Sequence, residues 1–206
     1  MRIHEGIRVI LASASPRRYE LLTQIDICRF EVIPAKGEEV ITTGVPEEAV
    51  MELAGQKAAE VFASTEGPRL VIGADTVVAL DKEILGKPAD REDAFNMICA
   101  MRGRTNHVYT GVSLMWDDEA ASIAGTGQGA GEDTFFSVTG VRFFPMTDRE
   151  VRDYVDTGEA DDKAGAYGAQ GIFGRHVERI EGEFANVVGL PVASLYKHLA
   201  EKGFFI

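Results

Sequence analysis

The eight residues Leu11-Ala12-Ser13-Ala14-Ser15-Pro16-Arg17-Arg18 constrain this chain more than any other stretch. Residues 7–11 are rich in β-branched side chains, bounded by charge, and read as a buried strand. Tyr19-Glu20-Leu21-Leu22 then begins a helical pattern that runs to Ile25. With Ser15 as N-cap, Pro16 falls at the first helical position, where its missing N–H is no loss. The chain therefore leaves a strand, turns through small residues and enters a helix with two arginines in its first turn. Cations there oppose the helix dipole by about a few tenths of a kcal/mol, while the open N–H groups of a helix start attract anions. A bound anion removes the conflict. The stretch fits a phosphate cradle of backbone N–H groups, the hydroxyls of Ser13 and Ser15, and the guanidinium groups of Arg17 and Arg18. An ordinary capped surface helix with solvated arginines carries the same signature, so the motif needs support from the rest of the chain.

The 206 residues fit one domain, 1–206, with an ordinary apolar fraction and enough chain for a sizeable core. A formal net charge of −12 argues against binding a nucleic-acid polymer or an anionic membrane. It also makes a local positive pocket stand out as a site for a small anion. Cys28 and Cys99 form no C-x-x-C pair and read as reduced thiols. No signal-peptide core or membrane span is visible, so a cytoplasmic protein is expected.

Helical spacing is expected over residues 47–63, 91–101 and 192–200, and strands over 29–33, 70–80, 84–85, 107–116, 135–144 and 177–180. Residues 70–80 are the most apolar segment and read as a central strand buried on both faces. Thr147-Asp148-Arg149-Glu150 is a capping box opening a helix to about Thr157. Residues 117–134 are acidic and glycine-rich; the spacing is wrong for G-x-G-x-x-G, and a flexible hairpin loop is expected. Residues 162–171 form a glycine-punctuated polar loop. Alternating strands and helices give an α/β (α+β) class with a mixed twisted sheet flanked by helices around a central cleft.

Asp75 is the main anomaly, an acid in the middle of an apolar strand. It reads as a cleft-floor carboxylate serving as general base or magnesium ligand, or as a structural acid paired to a lysine or capping a turn. Lys57 interrupts an alanine-rich helix face, and Lys87 stands in a rigid turn between Gly86 and Pro88. Each alone reads as a solvated lysine. With Arg17 and Arg18 they supply four cations, enough for the charge of a triphosphate. Of Glu38 and Glu39, either could join Asp75 on a magnesium ion. There is no Walker A motif and no G-x-S-x-G, and His4, His107, His176 and His198 read as surface or structural residues. Phe135, Phe136, Phe143 and Phe144 read as core.

In order and spacing, the stretches 11–18, Glu20-Leu-Leu22, Glu38-Glu39, Gln56-Lys57-Ala58, Ile72-Gly-Ala-Asp-Thr76, Leu85-Gly-Lys-Pro88, 162–171 and Asn186-Val-Val-Gly-Leu-Pro191 resemble the Maf proteins. These are nucleoside triphosphate pyrophosphatases related in fold to the Ham1 or inosine-triphosphatase group. The resemblance covers nearly the whole chain. It implies hydrolysis between the α and β phosphates to a monophosphate and pyrophosphate, with a divalent metal: Mg2+, or Mn2+ or Co2+. It implies Asp75 as proton acceptor and metal ligand with Glu39. It places base choice on Arg17, Thr76 and Gln170, a combination that looks like the dTTP/UTP branch, with modified pyrimidine nucleotides as a further substrate class. The remaining polar family positions fall on Ser13, Ser15, Arg18, Lys57 and Lys87, which are given to phosphate binding. A homodimer is also implied. A nucleotide-binding regulator of septum formation and cell division that does not hydrolyse is the rival reading; a plain phosphatase or kinase-like fold lacks its motifs. The extended segment 117–134 is the one departure from the family pattern.

Overall fold

The computed structural model describes residues 2–206 apart from 26, 28 and 128, so the expectation for Cys28 lies outside the described residues. Among the described residues, seven strands form one mixed sheet: β1 (Arg8–Leu11), β2 (Phe30–Val32), β3 (Arg69–Leu80), β4 (Glu83–Leu85), β5 (Thr105–Trp116), β6 (Gly131–Phe143) and β7 (Val177–Glu181). The order is β2-β1-β3-β5-β6-β7, with β4 paired to β3. The β1–β2 and β1–β3 pairs are parallel and all others antiparallel.

The period-2 alternation of the strands sorts the apolar side chains onto two faces. Val9, Leu11, Leu70, Ile72, Val112 and Leu114 pack under α1 (Pro16–Gln24), α4 (Asp118–Ala124) and α7 (Val192–Glu201). Ile10, Ala12 and Val71 point the other way, against Ala58 and Val61 of α2 (Pro46–Ala63). Farther along the sheet, Val78, Leu80, Val108, Val141 and Phe143 join α3 (Arg91–Met101) and α5 (Asp148–Val155) in a third cluster. α2 lies unusually close to the sheet because Gly73 and Gly111 lack side chains. A Cβ would stand 2.3 Å from the carbonyl oxygen of Ala54 at Gly73 and 2.2 Å from that of Val50 at Gly111.

β3 sits where these units meet. One edge pairs with β1 as far as Ile72 and with β4 from Val78 onward. Among the described residues, 73–77 have no strand on that side; their other edge is covered by β5. Asp75 and Thr76 lie in this opening and are only half-buried, so the central strand is not closed on both faces there.

Most expected elements are present, with shifted ends: α2 starts at Pro46, α5 stops at Val155 and the Thr147–Glu150 capping box is formed. The segment 117–134 does join an antiparallel pair, β5 and β6, as the expected hairpin, but it is not a flexible loop throughout. Asp117 caps α4 by accepting a hydrogen bond from the Ala120 N–H, and the helix ends at Gly125 with φ of 66°. Its buried face is alanine (Ala120, Ala121, Ala124), a weak periodic signal. β6 then begins at Gly131, where the Trp116 ring occupies the space of a Cβ. Only Phe135 and Phe143 are core; Phe136 and Phe144 are 41% and 47% exposed. The short helix α6 (Phe184–Val188) and 3-10 turns at Ala164–Ala166 and Ile172–His176 lie in stretches that showed no period. Cys99 is a free thiol, and no described helix is long and apolar enough to cross a membrane.

Candidate functional site

The opening beside β3 is the floor of a cleft of about 1220 Å³, and Ser13, Ser15, Arg17, Arg18, Glu39, Lys57, Asp75, Thr76, Lys87 and Gln170 all line it. Residues from six separate segments of the chain therefore meet at one place. One element ends there and another begins. β1 ends at Leu11, and Ser13–Ser15 lead into α1 with Ser15 as N-cap and Pro16 in its first turn. The Ser15 side chain makes no cap bond; instead the Ser15 N–H donates to Ser13 Oγ at 3.3 Å.

Arg18 is held on all three nitrogens. Nε donates to the Gly189 carbonyl at 2.8 Å, one terminal nitrogen to Ser13 Oγ at 3.0 Å and the other to Thr76 Oγ1 at 3.1 Å. Burial pushes its pKa below the ordinary arginine value, and Asp75 and Glu39 act against that shift. Guanidinium has five donors, so two remain for a ligand. The Thr76 hydroxyl is committed as well. Thr110 donates to the Asn186 carbonyl at 3.1 Å, which leaves Thr76 to donate to Thr110 at 3.0 Å while accepting from Arg18. Asn186 is fully buried and anchored through Nδ2 to the Val108 carbonyl and Thr139 Oγ1.

On the other face of the sheet, Lys57 descends from α2 onto Asp75. Its Nζ lies 2.5 Å from Asp75 Oδ1 and 2.9 Å from Glu39 Oε1. The Lys57 and Asp75 side chains are 15% and 14% exposed. The solvated-lysine expectation therefore fails for Lys57, because the glycine seat at 73 and 111 lowers α2 until the side chain reaches the floor. It holds for Lys87, which is exposed on the cleft rim. Asp75 is both cleft-floor carboxylate and ion-pair partner.

Glu39 is placed by a strap, residues 36–43, that runs along α2. Glu60 accepts from the Lys36 and Gly37 N–H groups at 2.8 and 2.9 Å. Gln56 accepts from the Val40 N–H at 3.0 Å and donates back to its carbonyl at 2.6 Å. Glu52 accepts from the Thr42 N–H and hydroxyl, and Glu48 from the Thr43 hydroxyl. Residues 48, 52, 56 and 60 share one helix face at four-residue spacing. That repeat of acids and an amide is a sequence signal that could have pointed to the strap.

The loop carrying Gln170 is held from below. Gly165 and Ala166 both have positive φ, 65° and 59°. Alanine there is strained, and Tyr154 Oη donates to the Ala166 carbonyl at 3.1 Å to hold it. Lys163, unassigned from sequence, also lines the cleft, with Nζ 2.7 Å from the Glu159 carbonyl oxygen and 2.7 Å from Asp162 Oδ1.

Whether these residues fit a metal is a matter of donors. Among the described residues no group of three or more His, Cys, Asp or Glu side chains is gathered. Two carboxylates, Asp75 and Glu39, do converge on a single cation, the Lys57 ammonium. That suits magnesium, which takes one or two carboxylates and completes its shell with water and substrate phosphate.

A half-open α/β sheet with a crevice at the carboxyl end of β1, where basic and acidic side chains meet, is the class of fold and site that suits a nucleotide's phosphates. Residues 8–202 match the Maf-like protein family, and the chain belongs to it. A curated relative from Agathobacter rectalis, named dTTP/UTP pyrophosphatase, is 47% identical over 95% of this chain and 98% of its own length. One of the same name from Carboxydothermus hydrogenoformans is 45% identical over 96% and 100%. Among solved structures, the Ham1 protein of Staphylococcus aureus covers 94% of this chain and 98% of its own at 12% identity, with a TM-score of 0.49.

Proposed function

We propose that this protein hydrolyses dTTP and UTP, and modified pyrimidine nucleotides of like shape, at the α–β phosphoanhydride to a monophosphate and pyrophosphate. Residues 1–206 act as one domain in this reading. The observation that carries it is the pair of carboxylates, Asp75 and Glu39, meeting over Lys57 in a crevice that Arg17, Arg18 and Lys87 also line. The names of the relatives support the same reaction.

Phosphoanhydride cleavage needs charge neutralisation and an oriented water more than covalent chemistry. Arg17, the two spare donors of Arg18, Lys57 and Lys87 bind the phosphates, with Ser13 and Ser15 closing the cradle. Asp75 orients the water and takes its proton. Asp75 and Glu39 would hold a divalent cation, Mg2+ or else Mn2+ or Co2+, which when bound neutralises phosphate charge. Arg17, Thr76 and Gln170 set base choice. Thr76 does so with its hydroxyl proton already given to Thr110, so it offers the base a lone pair and not a donor.

A regulator that binds without hydrolysing is the weaker reading, because two acids in a phosphate pocket repel the ligand unless a cation stands between them. The test is a panel of nucleoside triphosphates with metal present. Pyrimidine substrates should be cut faster than purine ones and should yield pyrophosphate. Purine preference overturns the base assignment, and nucleotide binding without turnover restores the regulator. The resemblance extends the proposal to a cytoplasmic homodimer, which light scattering of the purified chain checks.

A further inference from the structure

Glu159 lies on the cleft wall but has no place in the chemistry above. It follows α5 in the chain, and its side chain reaches across to the far end of the loop that carries Gln170. Oε2 accepts from the Ile172 N–H at 2.6 Å and Oε1 from the Phe173 N–H at 3.2 Å. These are the first two amides of the 3-10 turn Ile172–His176, where unpaired donors gather. A carboxylate on two amides makes charge-assisted bonds, about twice as strong as neutral ones.

Gly171 completes the device. Its φ is −98°, outside the left-handed region that favours glycine, so a positive φ is not the reason for glycine there. Glycine is needed for space. A Cβ would stand 2.2 Å from Glu159 Oε2 and 2.5 Å from its carboxyl carbon. The carboxylate occupies the place of the missing side chain. Gln170 is the adjacent residue, exposed on the cleft, and among the described residues its side chain has no hydrogen bond to fix it.

We propose that Glu159 is a positioning residue for base choice: its carboxylate latches the 171–173 backbone and so fixes where Gln170 meets the base, with Gly171 kept side-chain-free to admit the latch. This rests on the reading of Gln170 as a base contact.

The latch is tested by Glu159→Ala, Gly171→Ala and the double variant, with Gln170→Ala as reference. Each is assayed for kcat and KM on dTTP and on a purine triphosphate, with amide exchange at Ile172 and Phe173. Glu159→Ala and Gly171→Ala should each lower the pyrimidine-over-purine ratio of kcat/KM by about tenfold, the size of one lost specific hydrogen bond. Most of the change should fall on KM, and kcat for dTTP should stay within about threefold of the original, because the reacting atoms are not touched. Both amides should exchange faster. The double variant should match Glu159→Ala alone, because Gly171→Ala acts only through the carboxylate. Glu159→Gln, which keeps one acceptor, should fall between.

A ratio within about twofold of the original in both single variants, or a double variant equal to the product of the two single effects, overturns the latch. The two layers separate through Gln170→Ala. If it collapses the ratio while the Glu159 and Gly171 variants do not, the latch alone fails. If it too leaves the ratio unchanged, the base-contact reading fails and the latch falls with it.

Discussion

The strap at residues 36–43 and the loop at residues 159–173 line the same cleft but are secured in opposite ways. The strap is tied along its length by four side chains of one helix, Glu48, Glu52, Gln56 and Glu60, each taking a different stretch of backbone or hydroxyl. The loop is tied differently on the two sides of Gln170: before it, Tyr154 holds the strained Ala166 carbonyl, Tyr167 donates to Asn106 and the Gly165 N–H to the Gly86 carbonyl, whereas after it, among the described side chains, the Glu159 carboxylate alone takes the Ile172 and Phe173 amides. Distributed ties tolerate the loss of any one; a single latch does not. The division matches the tasks proposed for the two walls. The strap carries Glu39 for the phosphates that every triphosphate shares, whereas the loop carries Gln170 for the base that differs.

The largest effect is expected on the floor between the walls. Asp75→Asn should lower kcat by at least about 100-fold, the span of a lost general base, with circular dichroism unchanged. Retained turnover would remove Asp75 from the chemistry and leave the walls without a shared centre. Next comes the seat of the strap's own helix. Gly73→Ala forces a methyl against the Ala54 carbonyl and should cost about 3 kcal/mol in denaturant unfolding. A cost under about 1 kcal/mol would mean that α2 is not tightly seated and that Lys57 reaches Asp75 for another reason.

The comparison itself breaks or survives on a single rung. Gln56→Leu removes both bonds to Val40, yet the three remaining rungs should hold the strap. A loss of no more than about 1.5 kcal/mol is expected, with faster amide exchange confined near Val40. Exchange released along the whole of 36–43 would show that the strap, too, hangs on one tie.

The smallest effect is on acidification. His176 closes the 3-10 turn of the loop, and burial, aided by Arg175 and opposed by Glu150, holds its imidazole below the ordinary value. Its Nε2 accepts from Arg175 Nε at 3.1 Å, as only a neutral ring can. The unfolded form binds the proton more readily, so this contribution is full above about pH 6.5 and is lost as the pH falls through the lower, folded value. Glu60, which holds the strap from α2, is kept low by the Lys36 and Gly37 N–H groups, so its contribution is full above about pH 4.3 and is lost as the pH falls through its lower, folded value. Amide exchange followed from pH 7 to 4 should release Phe173 before Gly37; the reverse order contradicts the assignment of the weaker wall.

Much of this was readable beforehand, for physical reasons that also explain the misses. Alternating apolar residues fixed the long strands, and Ser15-Pro16 and Thr147–Glu150 marked helix starts because capping chemistry is local. α4 was hidden because its buried face is only alanine and a glycine tract follows it. The site residues were visible as types out of place: an acid in an apolar strand, a lysine among alanines. Their partners were not, because Arg18 meets Gly189 across 171 positions of sequence and Lys57 meets Asp75 only through the glycines under α2. Glu159 looked like one more acid in a chain carrying 33 of them.

The most direct measurement is the identity of the products when the purified protein meets dTTP and a divalent metal, resolved by phosphorus NMR. The account predicts dTMP and pyrophosphate in equal amounts, with no orthophosphate formed first. dTDP with orthophosphate, or unchanged dTTP, would contradict it.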